Sequence, residues 1–389
     1  ELPEWEDLRE HASEIKMHTI THLADYLDMF SKNLESRGVK VHWAKDAQEF
    51  NEIVLGILKD HNVKKMVKSK SMLTEECEMN PYLEQHGIDV VETDLGERII
   101  QLLGQKPSHI VMPAIHLKRE EVGKMFEEKG ISKEIGNYDP TYLTRCARHH
   151  LRDQFMEAGA GMTGCNFGVA ATGDCVVCTN EGNADMTTSM PKLHIVAMGI
   201  EKLVPDYKSL AVFQRLLCRC GTGQPTTAFT SHFRQARPGA EMHVVLVDNG
   251  RSDILADKDH WQTLKCMRCG ACMNTCPVYR RSGGYSYTYF IPGPVGVNLG
   301  MLKNPQKYSD NVSACTLCLS CDNVCPSKVG PGSQIYVWRQ SLEKLGKADP
   351  VKKAMSNGMK YLFDRPALYT TALKFAPLVN LVPECCTHF

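Results

Sequence analysis

The chain contains the stretch Cys266-Met-Arg-Cys269-Gly-Ala-Cys272-Met-Asn-Thr-Cys276-Pro277, and it repeats the same cysteine spacing in Cys315-Thr-Leu-Cys318-Leu-Ser-Cys321-Asp-Asn-Val-Cys325-Pro326. We call these stretches the first and the second cysteine run. Together they hold eight of the 17 cysteines in this 389-residue chain. Clustered thiols at a repeated spacing indicate metal ligands, whereas a disulfide scaffold is typical of small secreted domains with cysteines scattered along the chain.

The spacing C-x2-C-x2-C-x3-C-P is the ligand pattern of bacterial [4Fe–4S] ferredoxins. Gaps of two residues let one tight loop bring three thiolates to three corners of a cubane, and the fourth corner faces away from that loop. In two-cluster ferredoxins the other run supplies the fourth ligand. Zinc, the main competing metal, is usually held by paired C-x2-C knuckles that a long gap separates. We therefore expect two [4Fe–4S] clusters, one held by Cys266, Cys269, Cys272 and Cys325, and the other by Cys315, Cys318, Cys321 and Cys276.

The link between the runs, residues 277–314, is longer than in compact two-cluster ferredoxins. It has room for helices, one of them over Gly293–Leu302, and predicts a helical ferredoxin module. A cluster with four protein thiolates leaves no iron open to a substrate, so the pattern favours electron transfer. A purely structural pair of clusters is the alternative.

The N-terminal part of the chain alternates between strand and helix patterns. A long amphipathic helix is expected over residues 5–36, and Asp46 with Glu49 resembles a capping box that opens the next helix. The predicted strands are Val39–Trp43, Val63–Val67, Ile88–Glu92 and Ser108–Met112, with helices between them. This alternation predicts an α/β fold with a mainly parallel sheet covered by helices.

Changes in composition divide the chain into four regions. We expect an N-terminal helix over 1–38, the α/β domain over 39–258, the ferredoxin domain over 259–340, and a tail over 341–389. Glycine is dense between 159 and 182, which indicates either hairpin turns or backbone N–H groups that bind an anion. The tail is basic and amphipathic but rich in proline, so docking on a partner or on the chain's own body is favoured over a membrane-surface helix.

Charge and hydropathy exclude several classes of protein. The 45 Lys and Arg balance the 45 Asp and Glu, which argues against nucleic-acid binding. The apolar runs are far shorter than the roughly 20 residues that span a bilayer. The sequence starts with acidic residues and shows no signal-peptide pattern, so we expect a cytoplasmic protein with no transmembrane segment.

Strings outside the cysteine runs carry a family resemblance. They are Val67-Lys68-Ser69-Lys70-Ser71-Met72, Val90-Val91-Glu92-Thr93-Asp94-Leu95-Gly96-Glu97, Thr163-Gly164-Cys165-Asn166-Phe167, Thr179-Asn180-Glu181-Gly182-Asn183 and Val247-Asp248-Asn249-Gly250-Arg251-Ser252. Through these strings and the cysteine runs, residues 1–330 resemble the lactate utilization protein B family, the iron–sulfur subunits of bacterial L-lactate oxidation systems.

The resemblance implies a LUD domain, similar in fold to CoA-transferases and sugar-phosphate isomerases, followed by a helical ferredoxin module. It also implies two partner subunits: a cysteine-rich subunit of the heterodisulfide-reductase type and a smaller subunit with a second LUD domain. Electrons from the oxidation of lactate to pyruvate would then pass through this chain. The rival interpretations are a subunit of a glycolate or heterodisulfide-type redox complex, and an acyl or CoA transferase whose clusters are structural.

Glu181 is the candidate catalytic residue, because the related transferases carry a nucleophilic glutamate at the matching place. It would act as a base or nucleophile on a small 2-hydroxy acid, and a solvated turn residue is the alternative. The other candidate polar groups are Lys68, Lys70, Thr93, Asp94, Asn180 and Asn183. The sequence has no dinucleotide fingerprint and no haem motif, so the two-electron centre is expected on a partner or is missing.

Several further cysteines depart from the family pattern. Cys175, Cys178, Cys218 and Cys220 lie outside it, and together with Cys165 they present the spacings C-x9-C-x2-C and C-x-C. These five thiols either hold a third metal site or are small buried side chains.

Overall fold

The computed structural model describes residues 2–342, 344–347 and 349–375. The chain divides into two compact units, Glu1–Trp338 and Arg339–Phe389. Each is considered by itself.

The first unit is built around a parallel sheet whose strand order is β1-β10-β7-β4-β2-β3. Its strands are β1 (Lys40–Ala44), β2 (Lys65–Lys68), β3 (Asp89–Glu92), β4 (Ala160–Thr163), β7 (Leu193–Gly199) and β10 (Glu241–Val247). Every neighbouring pair is parallel; for example, Lys40 of β1 pairs with His243 of β10. The predicted α/β fold with a parallel sheet is confirmed.

The glycine-dense segment contributes β4 to the main sheet and two strands, β5 and β6, to a second sheet with the strand order β8-β5-β6-β9. Its strands are β5 (Phe167–Val169), β6 (Asp174–Thr179), β8 (Leu203–Val204) and β9 (Phe229–Phe233). Gly173, with φ at 71°, makes the turn between β5 and β6, a conformation that glycine adopts without steric cost. The hairpin interpretation of this segment is therefore correct, although the hairpin builds a separate sheet.

The first unit is rich in helices, which lie on both faces of the main sheet and in the segment of the cysteine runs. In the first unit they are α1 (Trp5–Thr21), α2 (Leu23–Glu35), α3 (Ala47–Asp60), α4 (Met72–Glu76), α5 (Met79–Gln85), α6 (Leu95–Leu103), α7 (Arg119–Glu128), α8 (Pro140–Glu157), α9 (Asn183–Ser189), α10 (Tyr207–Gly221), α11 (Arg251–Ala256), α12 (Ala271–Thr275), α13 (Pro277–Ser282), α14 (Gly293–Lys303), α15 (Pro305–Tyr308), α16 (Asp310–Ala314) and α17 (Ser320–Val324), followed by α18 (Pro331–Ser341), which runs past the end of that unit. Short 3-10 helices cover Ile200–Lys202, Trp261–Lys265 and Gly284–Ser286.

The residues of β10 show why the sheet is covered on both faces. Val245 and Val247 point into the core that contains α3, while Val244 and Leu246 point into the opposite core with Phe30 of α2. A strand that is apolar on both sides must be packed from both sides. Burial of these two faces is the main force that holds the first unit together.

The predicted capping of α3 is observed with one shift. The side chain of Asp46 accepts a hydrogen bond from the backbone N–H of Glu49 at 2.9 Å, as expected of an N-cap. The carboxylate of Glu49 accepts from the N–H of Lys45 at 2.7 Å, one residue before the cap.

Two expected elements differ from the structure. Residues 108–112 form a partly buried loop and not a strand, because side chains from elsewhere bind its carbonyl groups. The hydroxyl of Tyr279 donates to Ser108 O at 2.7 Å, and Nζ of Lys70 donates to Val111 O at 2.7 Å. The single N-terminal helix is in fact two helices that break at His22. There the His22 ring binds the carbonyl of His18 at 2.9 Å, and the backbone leaves the helical region.

The second unit contains α19 (Pro350–Phe363) and α20 (Pro366–Phe375). Asp349 caps α19 by accepting from the N–H of Val351 at 2.9 Å. The rest of the predicted tail, from residue 376, lies outside the described residues. None of the helices in the described ranges has the length and apolar character needed to cross a membrane.

Candidate iron–sulfur centre and neighbouring cavity

The two cysteine runs adopt the same local conformation. At the second position after the first cysteine, Arg268 has φ at 62° and Leu317 has φ at 53°. This left-handed turn directs the N–H of Arg268 to Sγ of Cys266 at 3.4 Å, and the N–H of Leu317 to Sγ of Cys315, also at 3.4 Å. Both loops thus point backbone donors at sulfur, as loops that hold a cluster do.

A second left-handed residue opens the short helix in each run. Gly270 (φ 83°) precedes α12 and Leu319 (φ 57°) precedes α17. For a leucine this conformation costs about 1–2 kcal/mol, so packing around the run must impose it. The two helices pack together, and the hydroxyls of Thr275 and Ser320 lie 2.5 Å apart.

The packing of α12 on α17 brings the fourth cysteine of one run to the other run. Cys325 is an electrostatic neighbour of Cys266, Cys269 and Cys272. The hydroxyl of Tyr287 is in hydrogen-bonding range of Cys276, and Tyr287 also interacts electrostatically with Cys315 and Cys272. These interactions join thiols of the two runs, and Cys272 interacts with Cys325 and with Cys321 of the second run.

The donor set fits iron–sulfur clusters on chemical grounds. Burial raises the pKa of Cys325 to about 11 and that of Cys272 well above its ordinary value. Buried thiolates need a positive charge beside them, and iron would supply it. The N–H of Val329 also donates to Sγ of Cys325 at 3.3 Å, and such bonds stabilise a ligating thiolate.

The two groups of cysteines differ in their access to solvent. Cys269, Cys321 and Cys325 are buried, whereas Cys318 is exposed. Leu319, next to Cys318, is exposed as well. The group that contains Cys318 therefore reaches the surface of the first unit.

A cavity of about 530 Å³ lies at the carboxyl edge of the main sheet. It is lined by residues that follow the strands β2, β3, β4, β7 and β10. The carboxyl ends of the strands are the usual place for a ligand in a parallel sheet. Arg268 and Cys269 of the first cysteine run form part of its wall. The cavity thus lies between the α/β sheet and the cysteines grouped around Cys269.

Glu181 is one of the residues that line this cavity, and it is exposed there. Its carboxylate accepts a hydrogen bond from the N–H of Leu95, the first residue of α6, at 3.3 Å. Removal of water by the surrounding protein, followed by the nearby Asp94 carboxylate, raises the pKa of Glu181 to about 7. A carboxyl group with that pKa can hold or release a proton near neutral pH.

The remaining candidate polar residues separate into two sets. Those that line the cavity are Lys70, Asp94, Asn180 and Asn183. Lys68 is fully buried away from it and pairs with Glu92 at 2.7 Å, so it is neither solvated nor free for a substrate. Thr93 is buried too, and its hydroxyl donates to Lys68 O at 3.0 Å.

Charged residues that the sequence did not single out also line the cavity. Arg251 bonds Glu201 at 2.5 Å and Glu76 at 3.0 Å, forming a buried ion-pair network. Lys202 lines the cavity as well, and burial lowers its pKa. The buried Nη1 of Arg268 has no hydrogen-bond partner in the described part of the chain. Arg251 lies in one of the strings that carry the family resemblance, and Arg268 lies in the first cysteine run. These are the only sequence signals that could have identified the two residues.

The five extra cysteines lie around the same cavity. Cys165, Cys178 and Cys218 line it, Cys175 contacts Cys165, and Cys220 contacts Cys269 of the first run. No three of these five thiols lie within 4.8 Å of one another.

The fold and the site define a class of protein. The family model of the LUD domain matches residues 27–252, and that of the 4Fe-4S dicluster domain matches residues 262–329. The chain is thus a LUD-domain iron–sulfur protein.

The particular family follows from similar sequences. The chain is 41% identical to lactate utilization protein B of Bacillus cytotoxicus and also 41% identical to that of Bacillus pumilus, in each case over 97% of this chain and 81% of the relative. For the protein of the same name from Macrococcus caseolyticus the identity is 40%, over 97% and 80% of the two chains. The chain belongs to the lactate utilization protein B family.

A solved structure is similar to part of the chain. The crystal structure of a DUF162 family protein from Deinococcus radiodurans matches with a TM-score of 0.33 and 12% sequence identity, and covers 58% of this chain and 98% of that one.

Proposed function

We propose that this chain is the iron–sulfur electron-transfer subunit of a complex that oxidises L-lactate to pyruvate. The name of its relatives supports the substrate, and the convergence of the two cysteine runs supports the role. When bound, each [4Fe–4S] cluster would accept and release one electron at a time. The single observation that carries the proposal is the position of Cys325 among Cys266, Cys269 and Cys272.

The proposed ligand sets follow from that position. Cys266, Cys269, Cys272 and Cys325 would hold one cluster, and Cys315, Cys318, Cys321 and Cys276 the other. The matching turns at Arg268 and Leu317 support two equivalent loops. The two-cluster arrangement is our proposal for the dicluster domain that the family match identifies.

The placement of the two groups suggests a direction for electron flow. Cys269 borders the cavity, so we place the entry of electrons there. Cys318 is exposed, so we place their exit at that surface, where a partner subunit can approach. We propose the cysteine-rich heterodisulfide-reductase-type subunit and the second LUD-domain subunit as partners. The 15 described cysteines form no disulfide, which favours a reducing, cytoplasmic location.

We assign the cavity to the small 2-hydroxy acid. Its volume falls within the range of about 300–1,000 Å³ for small-molecule sites. The unsatisfied Nη1 of Arg268 and the ammonium of Lys202 provide positive charge for a carboxylate. Glu181 would accept a proton released in the oxidation, since its pKa of about 7 suits that task. The C–H hydrogen of the substrate would leave as a hydride to a two-electron acceptor that a partner subunit brings to the cavity. That acceptor would then pass its two electrons one at a time to the cluster near Cys269.

One observation favours a second function, an acyl or CoA transferase with structural clusters. Glu181 lies at the carboxyl edge of the sheet, where a nucleophile of that chemistry would lie. In that case Glu181→Ala would abolish turnover, whereas loss of a cluster through Cys325→Ala would lower only stability.

The test is reduction of the bound clusters in the complex assembled with its partner subunits. Lactate, glycolate and a dithiol are offered in parallel under anaerobic conditions, and cluster bleaching is followed by visible absorbance. The proposal expects bleaching with lactate that Cys325→Ala abolishes. Bleaching only with glycolate or the dithiol would assign the chain to a different redox complex, and full turnover of Cys325→Ala would refute electron transfer.

A further inference from the structure

A group of histidines lies at the opposite edge of the main sheet from the cavity. His61 ends α3, while Glu241 and His243 begin β10. The ligand atoms of these three residues all lie within 4.8 Å of one another, and no other such group occurs in the ranges that the structure describes. Nothing in the proposed electron-transfer function uses them.

The distances are close to those of a bound ion. Nε2 of His61 lies 3.5 Å from Oε1 of Glu241, and Nε2 of His243 lies 2.6 Å from the same oxygen. With bonds of about 2.0–2.2 Å to zinc, two ligand atoms of one tetrahedral ion are roughly 3.3 Å apart. Insertion of an ion requires that the hydrogen bond between His243 and Glu241 open by less than an ångström or so, and that Nε2 of His243 give up the proton it donates there.

The hydrogen bonds of His61 leave a lone pair facing the carboxylate. Its Nδ1 lies 2.8 Å from Ile57 O, and a carbonyl oxygen only accepts, so Nδ1 carries the proton. In neutral His61 the other nitrogen, Nε2, therefore presents a lone pair to Oε1 of Glu241. Two acceptors that face each other at 3.5 Å repel one another, and a cation bound by both would remove that repulsion. A backbone carbonyl bound to the far nitrogen is also the usual support of a metal-ligating histidine.

His243 has a similar support. Its Nδ1 lies 2.9 Å from Nε2 of His42 on β1, and the two rings stack at 5.1 Å. Because the carboxylate of Glu241 only accepts, Nε2 of His243 donates to it and Nδ1 accepts from Nε2 of His42. To bind a metal, His243 would change tautomer so that Nδ1 donates to His42 and Nε2 offers its lone pair to the ion. His243 is buried, so this pair fixes the direction of its ring.

We propose that His61, Glu241 and His243 form a binding site for a first-row divalent metal ion, and that zinc is the ion they suit best. Two imidazoles and one carboxylate are a familiar zinc ligand set. A cavity of about 340 Å³ borders His61 and Glu241 and leaves room for a water ligand. The ion would join the end of α3 to the start of β10.

Lys40 is the internal competitor of this ion. Its ammonium group bonds the same carboxylate oxygen of Glu241 from the neighbouring strand β1. Removal of Lys40 should therefore strengthen metal binding, whereas a purely structural ion pair would only be weakened by it.

The test is calorimetric titration of the cluster-loaded protein with zinc under anaerobic conditions. Variants His61→Ala and His243→Ala are compared with His86→Ala. His86 is the matched control, because it also ends a helix and binds a carbonyl through Nδ1, that of Tyr82 at 2.7 Å. We expect one zinc-binding event that each of the first two variants weakens at least tenfold, that His86→Ala leaves unchanged, and that Lys40→Ala strengthens.

Other outcomes would overturn the site. Zinc bound equally by wild type and by both histidine variants would be held by thiols elsewhere. Failure of Lys40→Ala to raise the affinity would assign the group to a protonated-histidine ion pair. Since Lys40→Ala leaves all three ligands in place, its result decides the question even where a histidine variant folds poorly.

Discussion

The thiol of Cys325 interacts electrostatically with that of Cys266, although the two belong to different cysteine runs. The runs come together because α12 and α17 pack on each other. In our proposal each run supplies one ligand to the cluster that the other run mainly holds. A change in one run should therefore affect the cluster of the other run.

The first prediction concerns this exchange of ligands. Cys325→Ala should remove the cluster held mainly by the first run, because that cluster would lose its fourth thiolate. Iron per chain should fall by about half. Iron analysis with EPR of the reduced protein checks this, and Cys146→Ala, which changes a cysteine outside both runs, should keep the full content. Retention of all the iron in Cys325→Ala would refute crossed ligation.

The second prediction concerns the reduction potential. Tyr287→Phe removes the hydroxyl group beside Cys276, a donor to a ligating sulfur. Loss of one such bond, worth about 1 kcal/mol, should lower the one-electron potential of that cluster by roughly 40 mV. Redox titration followed by EPR measures it. Tyr289→Phe, which changes a neighbouring buried tyrosine, is the control and should leave the potential unchanged. Equal shifts in both variants would contradict the role of Tyr287.

The third prediction follows from Glu181. Its pKa is raised from 4.5 to about 7, so the folded protein holds this proton more tightly than the unfolded chain does. The stabilisation is fully present below about pH 4.5 and is lost as pH rises through about 7. Glu181→Gln should therefore have the same melting temperature as wild type near pH 4.5 and a higher one than wild type above about pH 7.

Thermal melts of the cluster-loaded protein across this pH range test the sign of the effect. Glu128→Gln, at an exposed position on α7, is the control and should track wild type throughout. A gap between Glu181→Gln and wild type that stays constant with pH would show that the carboxyl group titrates normally.

The fourth prediction compares two lysines of β2. Glu92→Gln leaves the buried Lys68 without its nearest counter-charge, and should cost about 3–5 kcal/mol in free energy of unfolding. Glu157→Gln removes the partner of the more exposed Lys65, which should cost at most about 1 kcal/mol. Denaturant unfolding gives both values, and similar costs for the two variants would show that the Lys68 pair is not isolated from water.

Some of the architecture could be predicted because local patterns determine it. Strand and helix periods identified the parallel sheet, and the side chain of Asp46 does cap α3. Local patterns also failed where distant groups compete for the backbone. Residues 108–112 are apolar enough for a strand, yet Tyr279 and Lys70 bind their carbonyl groups and hold them as a loop.

The candidate site could be predicted only where its functional residues lie close together in the sequence. The cysteine runs carry their spacing in the sequence, and they converge in the fold. The cavity could not be predicted, because the ends of five strands and the first cysteine run form it together. Arg268 did not stand out because it lies between two predicted ligands, Cys266 and Cys269. His61 and His243 are also far apart in sequence. His61 reaches His243 because α3 ends there, and the pairing of β1 with β10 adds His42.

The most direct test of the central claim is iron and acid-labile sulfide analysis, combined with EPR, of the full-length protein purified and reduced without oxygen. Two cubanes predict about eight irons and about eight sulfides per chain, with the spectrum of two interacting [4Fe–4S]⁺ centres. A content of about four irons, or zinc in place of iron at both cysteine groups, would contradict it.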